Sequence, residues 1–494
     1  MRYTVAFRSL GCKLNQLESE SAADAFRRAG WTVLSGAAAG PAPDLVVVNT
    51  CTVTSKAEQK ARRIARSALA ESPSSLVLLT GCYAQVEAEA LSALDSRALV
   101  LPGEDKASLL GLPDWLGENW QGHGELGPAL REWLAGPGAR EADRFAYRPE
   151  RFAFHSRPSL KIQDGCDNRC AYCRVCIARG PSSSLAAGEV LERARELEEG
   201  GAAEIVLTGV NLSQYRSEGR SFPGLLRLLI EGTSSVPIRL SSYEPEAVDA
   251  EFIEAFAHPR IRPHAHLPVQ SGSDPLLAAM GRRYRRDRVV RAVEALRRAR
   301  GDPFIACDLI AGFPGESEAD FAATVELARA CGFAWIHAFP FSPRPGTRAW
   351  ELRPRVPERV AGERVELLTA LAREGRAAYA ARWAGRELSA VLEEGAGRGT
   401  ELEAPGTELA RMDGEPGTEL QATSENYLKL RLRGAPAGLR RGSALRCRTA
   451  PLGRGPTGTE PGFRGQSSGL GGAGAAAGGQ SSDSGFDLDA YIVD

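Results

Sequence analysis

The sequence lacks a long hydrophobic run and an excess of charge of either sign. No stretch of about eighteen consecutive apolar residues occurs, so no membrane span is expected. The N-terminus, MRYTVAFRSLGCKLNQ, lacks the long apolar core of a secretory signal. With 61 basic and 62 acidic residues the net charge is -1, which excludes a strongly basic coat for nucleic acid. We therefore expect a cytoplasmic protein with no membrane partner, in which any RNA binding comes from local patches.

Ten cysteines are present in this chain of 494 residues. In a cytoplasmic protein they are more typical of metal or redox ligands than of disulfides. The chain is too long for one compact domain, so about two to four domains are expected.

The first two thirds of the chain predict an α/β fold. Residues 1–104 alternate short apolar runs with amphipathic helical stretches, which predicts a small parallel sheet with helices on its faces. Residues 105–158 are punctuated by Gly and Pro and are interpreted as an irregular linker with a short helix or two. Six candidate strands within 159–355, with helical stretches between most of them, predict a partial (βα)6 barrel whose functional loops lie at its C-terminal face.

The last third predicts a small all-β module. A helical connector over 356–383 precedes strand-like stretches in 384–450, which fit a small β barrel. GTEL recurs at 399, 406 and 417, inside a stretch interpreted as a flexible insertion. Residues 451–494, mostly Gly, Ser and Ala before a short acidic end, are predicted to be a disordered tail.

Three cysteines of the N-terminal region occupy equivalent positions. Cys12, Cys51 and Cys82 each follow a predicted strand and precede a helix, in SLGCKLN, NTCTVT and TGCYAQ. In an open parallel sheet such loops emerge along one edge, where ligands bind. The topology therefore predicts that the three thiols meet, whereas the alternative is three unrelated small residues buried in cores.

A second cysteine group follows the first predicted barrel strand. Cys166, Cys170 and Cys173 form the pattern C-x3-C-x2-C. Three thiolates in one tight loop can hold a [4Fe–4S] cluster and leave its fourth iron without a protein ligand. An open iron can bind the amino and carboxylate groups of S-adenosylmethionine. Electron transfer then breaks the sulfonium C5′–S bond and gives a 5′-deoxyadenosyl radical, which abstracts hydrogen from unactivated carbon.

Cys176 allows two other interpretations of this loop. With Cys170 and Cys173 it forms C-x2-C-x2-C, the start of a bacterial ferredoxin run, but Gly180 stands where that run needs its next cysteine. A zinc knuckle needs a second pair of ligands nearby, and His155 is the only neighbour. We interpret Cys176 as a bystander or auxiliary thiol.

Further cofactor contacts are predicted at successive strand ends and near the cradle, the loop that carries Cys166, Cys170 and Cys173. Tyr172 precedes the last cradle cysteine and is placed to lie near an adenine. The stretches LTGVN, SSYEP and DLIAGFPGE each close a predicted strand, and glycines there permit close approach of a ligand. The candidate contacts for S-adenosylmethionine are Tyr172, Gly209, Asn211, Ser242, Glu244, Gln270, Asp308 and Gly312.

These motifs together resemble the radical-SAM methylthiotransferase family over about residues 1–450. The resemblance is carried by GCKLNQLES, NTCTVT and GCYAQ, then by the cysteine cradle, HLPVQSGSDPLLAAM, DLIAGFPGE and FPFSPRPGT, in family order. It implies a second [4Fe–4S] cluster, also with an open iron, on Cys12, Cys51 and Cys82. It also implies that the C-terminal β module is a TRAM-like domain that binds RNA.

The resemblance implies a reaction that installs a methylthio group on an unactivated C–H. One S-adenosylmethionine methylates sulfur held at the N-terminal cluster, and a second supplies the radical that attacks the substrate carbon. Two open clusters facing each other across a substrate cleft are expected for this chemistry.

The substrate expectation depends on GCKLNQ, which ends with Lys13, Leu14, Asn15 and Gln16. This form is most similar to enzymes that act at C2 of N6-threonylcarbamoyladenosine, position 37 of tRNA. Alternatives are N6-isopentenyladenosine in tRNA, an aspartate of a ribosomal protein, and a non-catalytic RNA-binding metalloprotein. An anticodon loop is a suitable target because single-stranded bases can be splayed out and reached at their edges.

The expected partners are the tRNA anticodon loop, an electron donor such as flavodoxin or ferredoxin, and a sulfur donor. Basic runs could meet RNA phosphates, although such runs are often solvated helix faces. Two departures from the family pattern occur after the cradle: Cys176 replaces a usual proline, and GPSSSLA lacks a common arginine. The arginines considered as phosphate contacts are Arg282, Arg283, Arg285, Arg286, Arg288, Arg373 and Arg376.

Overall fold

The structure is a computed structural model, and it describes residues 3–34, 42–122, 125–140, 143–393, 420–436, 438–453 and 485–493. None of the helices in these ranges combines the length and the apolar character needed to cross a membrane.

The N-terminal region is a five-stranded parallel sheet with strand order β2-β1-β3-β4-β5. Its central strands are rich in Val and Leu, as expected for strands covered on both faces. The elements are β1 Thr4–Ser9, α1 Lys13–Arg28, β2 Thr32–Leu34, β3 Leu45–Thr50, α2 Ser55–Glu71, β4 Leu76–Gly81, α3 Cys82–Val86, α4 Ala88–Ser92 and β5 Ala98–Val100.

The segment interpreted as a linker completes this N-terminal core. Two helices, α5 Leu112–Asn119 and α6 Leu126–Ala135, lie between 3-10 turns. Leu112, Leu116, Leu130 and Trp133 are buried in one cluster with side chains of the sheet and α1. Apolar residues at helical spacing therefore anchor the segment, instead of leaving it as a free connection.

The central region is an open barrel of six parallel strands, in agreement with the predicted fold class. Two three-stranded sheets, β12-β9-β6 and β13-β14-β15, are joined by bridges between Ile238 and Ile261 and between Ser242 and His266. Short antiparallel pairs, β7–β8 and β10–β11, flank the barrel. The elements are β6 Ser159–Lys161, β7 Gln163–Asp164, α7 Val175–Arg179, β8 Ser183–Ser184, α8 Ala187–Glu199, β9 Ile205–Thr208, β10 Arg216–Ser217, β11 Arg220–Ser221, α9 Phe222–Gly232, β12 Ile238–Leu240, α10 Ala250–Phe256, β13 His264–Gln270, α11 Asp274–Ala279, α12 Arg286–Arg300, β14 Phe304–Ala311, α13 Glu318–Cys331 and β15 Trp335–Pro340.

The long helix α14 Glu358–Trp383 leads from this barrel into a closed five-stranded β barrel. The strands are β16 Glu387–Leu392, β17 Leu420–Ser424, β18 Lys429–Leu432, β19 Ala444–Ala450 and β20 Leu488–Ile492, in the order β16-β17-β18-β20-β19. A small barrel was predicted here, but with its boundary at residue 450.

The strand β20 corrects the prediction of a disordered tail over 451–494. It pairs in parallel with β18 and antiparallel with β19, and it closes the barrel. The acidic end of the chain therefore belongs to the folded module. The GTEL repeats, apart from Leu420 at the start of β17, and the tail from 454 to 484 lie outside the described residues.

Candidate active site

Strand topology brings the three N-terminal cysteines to one sheet edge. Cys12, Cys51 and Cys82 directly follow β1, β3 and β4, which are neighbours in the sheet. The loops approach closely: a Cβ added to Gly11, whose φ is +104°, would lie 3.0 Å from the Cys51 Sγ. Burial raises the pKa of the Cys51 thiol to about 11, and the other two thiols add to that rise. The three sulfurs therefore share one environment.

Within the stretch Lys13–Gln16, the side chains of Asn15 and Lys13 have different partners. The Asn15 Nδ2 donates hydrogen bonds to the carbonyl oxygens of Leu10 and Thr50, at 2.7 and 3.0 Å, and so ties the cysteine loops together. Lys13 instead extends toward the C-terminal barrel, where its Nζ lies 6.0 Å from the centre of the Tyr427 ring. The two side chains thus serve different contacts.

The cradle loop of Cys166, Cys170 and Cys173 is fixed by its backbone. The Cys166 amide donates to the Gly180 carbonyl at 3.2 Å, and the Ala171 amide donates to the Met280 carbonyl at 2.8 Å. Gly165 has φ +70°, and a Cβ there would overlap the carbonyl oxygen of Pro181. The loop therefore folds back on the segment after α7, and only glycine fits at its entrance.

The cradle sulfurs face hydrogen-bond donors. The Arg282 Nη1 lies 3.3 Å from the Cys170 Sγ, and the Val175 amide lies 3.4 Å from the Cys173 Sγ. Burial raises the pKa of Cys173 to about 12. A bound metal would reverse this effect, because ligand thiols bind metals as thiolates. The Cys176 Sγ instead donates to the Cys173 carbonyl at 3.8 Å, which places this thiol against the backbone of the loop.

The cysteine spacing fits a cluster better than a single metal ion. Among the described residues, only His266, Asp308 and His337 form a group of possible ligands with atoms all within 4.8 Å of one another. The thiols of neither cysteine group are that close together. Zinc would draw its sulfur ligands around one atom at about 2.3 Å, whereas a four-iron cube spreads its thiolates over separate corners.

Several predicted cofactor contacts lie around the cradle. Glu244 forms an ion pair with Arg282 and accepts a hydrogen bond from the Asn168 Nδ2 at 3.1 Å. Burial raises the pKa of Glu244 to about 7, against the opposing effect of Arg282. The backbone amide of Asn211 donates to the Gln163 Oε1 at 2.8 Å, and the Asn211 Nδ2 lies 3.9 Å from the Cys166 Sγ.

The other predicted cofactor contacts, Tyr172, Gly209, Gly312 and Gln270, have different surroundings in the structure. Tyr172 packs against an apolar cluster that includes Met280 and Phe313. Gly209 lies against the Gln163 side chain, and Gly312, with φ +81°, lies against Ala361. Gln270 has φ +66° at an irregularity of β13, which distinguishes it from its neighbours in the strand.

Sequence reasoning missed His266, which joins Ser242 to Asp308. The His266 Nδ1 lies 2.7 Å from the Ser242 Oγ, and its Nε2 lies 3.0 Å from the Asp308 Oδ1. Ala265 and Leu267 pack in the core, so His266, between them, points into the barrel. The alternation of HAHLPVQ is the signal that could have identified this histidine.

Several arginines considered as phosphate contacts have partners within the protein, among them Arg282, Arg286, Arg288 and Arg376. The Arg282 side chain is only 4% exposed and binds Cys170 and Glu244. The Arg376 guanidinium is paired with Asp487, just before β20. Charge runs alone could not reveal this, because the partners are distant in sequence.

The N-terminal cysteine edge faces the cradle. Helix α3, which begins at Cys82, packs against α7, which follows the cradle. The Arg179 Nε donates to the Cys82 Sγ at 3.2 Å. On the other side, the Ser55 amide donates to the Ser342 Oγ at 2.8 Å, beyond β15. The two cysteine groups therefore lie on either side of one domain junction.

Comparisons with known proteins match both regions of the chain that carry the cysteine groups. The chain matches the model of the radical SAM superfamily over residues 160–328, and that of uncharacterized protein family UPF0004 over residues 4–102. It is 43% identical to a threonylcarbamoyladenosine tRNA methylthiotransferase of Treponema pallidum, and the match covers 80% of this chain and 92% of the relative. The chain belongs to the radical-SAM methylthiotransferase family. Enzymes of this family use S-adenosylmethionine and [4Fe–4S] clusters.

The relatives of this methylthiotransferase also include enzymes with a different name. A tRNA-2-methylthio-N(6)-dimethylallyladenosine synthase of Cereibacter sphaeroides is 36% identical, with 79% of this chain and 87% of the relative covered. Among solved structures, a radical S-adenosylmethionine methyltransferase from Kitasatospora setae, with cobalamin and a [4Fe-4S] cluster bound, has a TM-score of 0.48 and 17% identity, over 71% of this chain and 77% of that one.

Proposed function

We propose that this enzyme adds a methylthio group to C2 of N6-threonylcarbamoyladenosine at position 37 of tRNA. The observation that carries the proposal is the placement of Cys12, Cys51 and Cys82 opposite the Cys166 cradle, through the contact of α3 with α7. The names of the most similar relatives support tRNA as the substrate and the threonylcarbamoyl form as the target.

The two cysteine groups are the proposed cluster ligands. Cys166, Cys170 and Cys173 would hold one [4Fe–4S] cluster, and Cys12, Cys51 and Cys82 would hold the other. When bound, these clusters and S-adenosylmethionine supply a 5′-deoxyadenosyl radical and a site that carries sulfur. All six cysteines are free thiols, and three per group leave one iron of each cube without a protein ligand.

The surrounding residues position these groups. Arg282 orients Glu244 and donates to the Cys170 sulfur, so one side chain links the cradle to a predicted contact for S-adenosylmethionine. Inside the barrel, His266 fixes Ser242 and Asp308. These groups give the lumen polar atoms that can meet a ribose or a polar substituent of the nucleoside.

We propose that the closed C-terminal barrel binds the tRNA near its anticodon loop. Arg262, in the loop before β13, donates to the Ser389 Oγ at 2.8 Å, and Arg239 of β12 donates to the Ser424 carbonyl at 3.1 Å. The small barrel is thus fixed to the catalytic one, as required if RNA held by one is to reach the other. A flavodoxin or ferredoxin and a separate sulfur donor complete the proposed partners.

The proposal is tested with three anticodon stem–loop RNAs, carrying threonylcarbamoyladenosine, isopentenyladenosine or unmodified adenosine at position 37. Each is incubated anaerobically with the reconstituted full chain, S-adenosylmethionine, sulfide and a reductant, and its nucleosides are analysed by mass spectrometry. We expect a methylthio product from the first RNA only.

The Cys166→Ala/Cys170→Ala/Cys173→Ala variant is the control and should yield no product. A methylthio product from the isopentenyl RNA alone would overturn the substrate assignment. A zinc-containing protein that leaves S-adenosylmethionine intact would support the non-catalytic alternative instead.

A further inference from the structure

Arg179 reaches from the central barrel into the N-terminal cysteine site. It is the last residue of α7, the short helix that follows the cradle, and its side chain is 8% exposed. Its contacts are shared between its own barrel and the facing domain, where the Cys82 sulfur lies. One buried cation thus touches both halves of the junction between the cysteine groups.

The guanidinium is held in a fixed orientation by three side chains. Its Nη2 donates to the Asn15 Oδ1 at 2.8 Å, and its Nη1 lies 3.0 Å from the Glu18 Oε1 and 3.1 Å from the Asp164 Oδ1. These contacts leave the Nε directed at the Cys82 Sγ, at 3.2 Å. The planar fork of arginine permits this set of contacts, which a lysine ammonium could not reproduce.

The charges around Arg179 do not cancel. Glu18 also pairs with Lys106 and with Lys161, whose Nζ lies 2.6 Å from the Asp164 Oδ2. Three cations therefore share two carboxylates, and one positive charge remains next to Cys82. A buried charge of this kind is costly unless an anion compensates it. Cluster thiolates are such an anion.

We propose that Arg179 is a positioning residue that the barrel supplies to the N-terminal iron–sulfur site. Its hydrogen bond to the Cys82 sulfur and its positive charge raise the reduction potential of the cluster. This inference rests on the proposed function, which makes Cys12, Cys51 and Cys82 cluster ligands. Donors to ligand sulfurs and nearby positive charge favour the reduced form of a cluster, because it carries one more negative charge.

The test is an anaerobic redox titration followed by electron paramagnetic resonance. It uses the full chain with Cys166, Cys170 and Cys173 changed to alanine, so that only the N-terminal cluster contributes. At the potential that half-reduces this cluster, Arg179→Gln should lower its ratio of reduced to oxidised form about tenfold, which corresponds to about 59 mV for one electron. Arg179→Lys keeps the charge but loses the fork, and should give a smaller shift.

Arg174 provides the matched control. It lies at the other end of α7 and binds Glu58 and Glu87 of the N-terminal domain, and neither contact involves a sulfur. Arg174→Gln should weaken the same junction and leave the potential unchanged. Equal shifts for both glutamine variants, or none for Arg179→Gln and Arg179→Lys, would overturn the inference. A parent chain that binds no iron in this site would contradict the proposed function instead.

Discussion

Two glycines, one before the cradle and one after α7, allow the effect of backbone conformation to be distinguished from that of steric overlap. Gly165 and Gly180 both have a positive φ, +70° and +73°. A Cβ on Gly165 would overlap the Pro181 carbonyl, whereas a Cβ on Gly180 would meet no atom within 4 Å. The pair therefore shows how closely the cradle must fold back on itself.

We predict that Gly165→Ala empties the cradle and that Gly180→Ala does not. Both variants place an alanine at a positive φ, which costs about 1–3 kcal/mol. Only Gly165→Ala must also push the Cys166 loop away from the segment after α7. The measurement is iron content after anaerobic reconstitution, which should fall by about half in Gly165→Ala. Equal iron in the two variants would contradict the steric account.

Single residues also show which features of the site could be predicted from the sequence and which could not. The positions of Cys12, Cys51 and Cys82 could be predicted because strand ends and parallel topology fix them locally. The roles of Arg179 and Arg282 could not, because the sulfurs they contact lie 97 and 112 positions away in the chain. A charged residue that is neutralised by a distant partner looks the same in sequence as one that faces solvent.

At the scale of elements, β20 is a strand that the sequence alone did not predict, because its partners are distant in the chain. Its five residues, LDAYI, follow a long Gly/Ser/Ala-rich segment near the acidic end of the chain, and no local pattern relates them to β18 and β19. The six-stranded barrel was predictable because each strand is followed by its own helix. A barrel closed by a strand from the end of the chain depends on pairing that only the folded molecule specifies.

We predict that ending the chain after residue 484 opens the C-terminal barrel. The truncation removes β20, which buries Leu488 and Ala490 and hydrogen-bonds to two strands. The exposed strand edges should make this module sensitive to limited proteolysis and should lower anticodon stem–loop affinity at least about tenfold.

Asp489→Asn is the control for this truncation. It keeps β20 but removes the charge of a buried carboxylate, whose Oδ1 lies 2.7 Å from the Arg431 Nε and 3.1 Å from the Arg433 Nε. This loss should lower the stability of the module, but the β20 hydrogen bonds should keep the barrel closed, with RNA affinity closer to that of the parent than to that of the truncated chain. Unchanged proteolysis in the truncated chain would show that β20 is dispensable.

At the scale of the whole molecule, Glu204 connects the two barrels. Its side chain is fully buried and accepts from the Arg239 Nη2 and the Arg262 Nε, both at 2.8 Å. The same arginines donate to Ser424 and Ser389 of the C-terminal barrel. Burial would raise the pKa of Glu204, but the arginines lower it to about 2.

The depressed pKa sets the direction of a pH effect on stability. A carboxyl group whose pKa is lowered on folding stabilises the fold at pH values above its pKa in the unfolded chain, about 4.5. This stabilisation is lost as the pH falls toward 2. We predict that Glu204→Gln lowers the free energy of unfolding at pH 7 by about 3 kcal/mol, because it leaves buried arginines uncompensated.

The measurement is urea unfolding of the iron-free chain, followed by tryptophan fluorescence at pH 7 and pH 4. The parent should lose more stability than Glu204→Gln between these two pH values, since only the parent has a carboxylate at position 204, and this group takes up a proton in the unfolded chain before it does so in the folded one. Parallel losses in the two proteins would show that Glu204 does not govern this junction.

The two-site account is tested most directly by counting iron and sulfide in the full chain after anaerobic reconstitution. The parent should hold about eight of each. The Cys12→Ala/Cys51→Ala/Cys82→Ala variant and the Cys166→Ala/Cys170→Ala/Cys173→Ala variant should each hold about four, while Cys176→Ala should match the parent. A parent with only about four irons, all lost when either group of three cysteines is removed, would contradict two separate clusters.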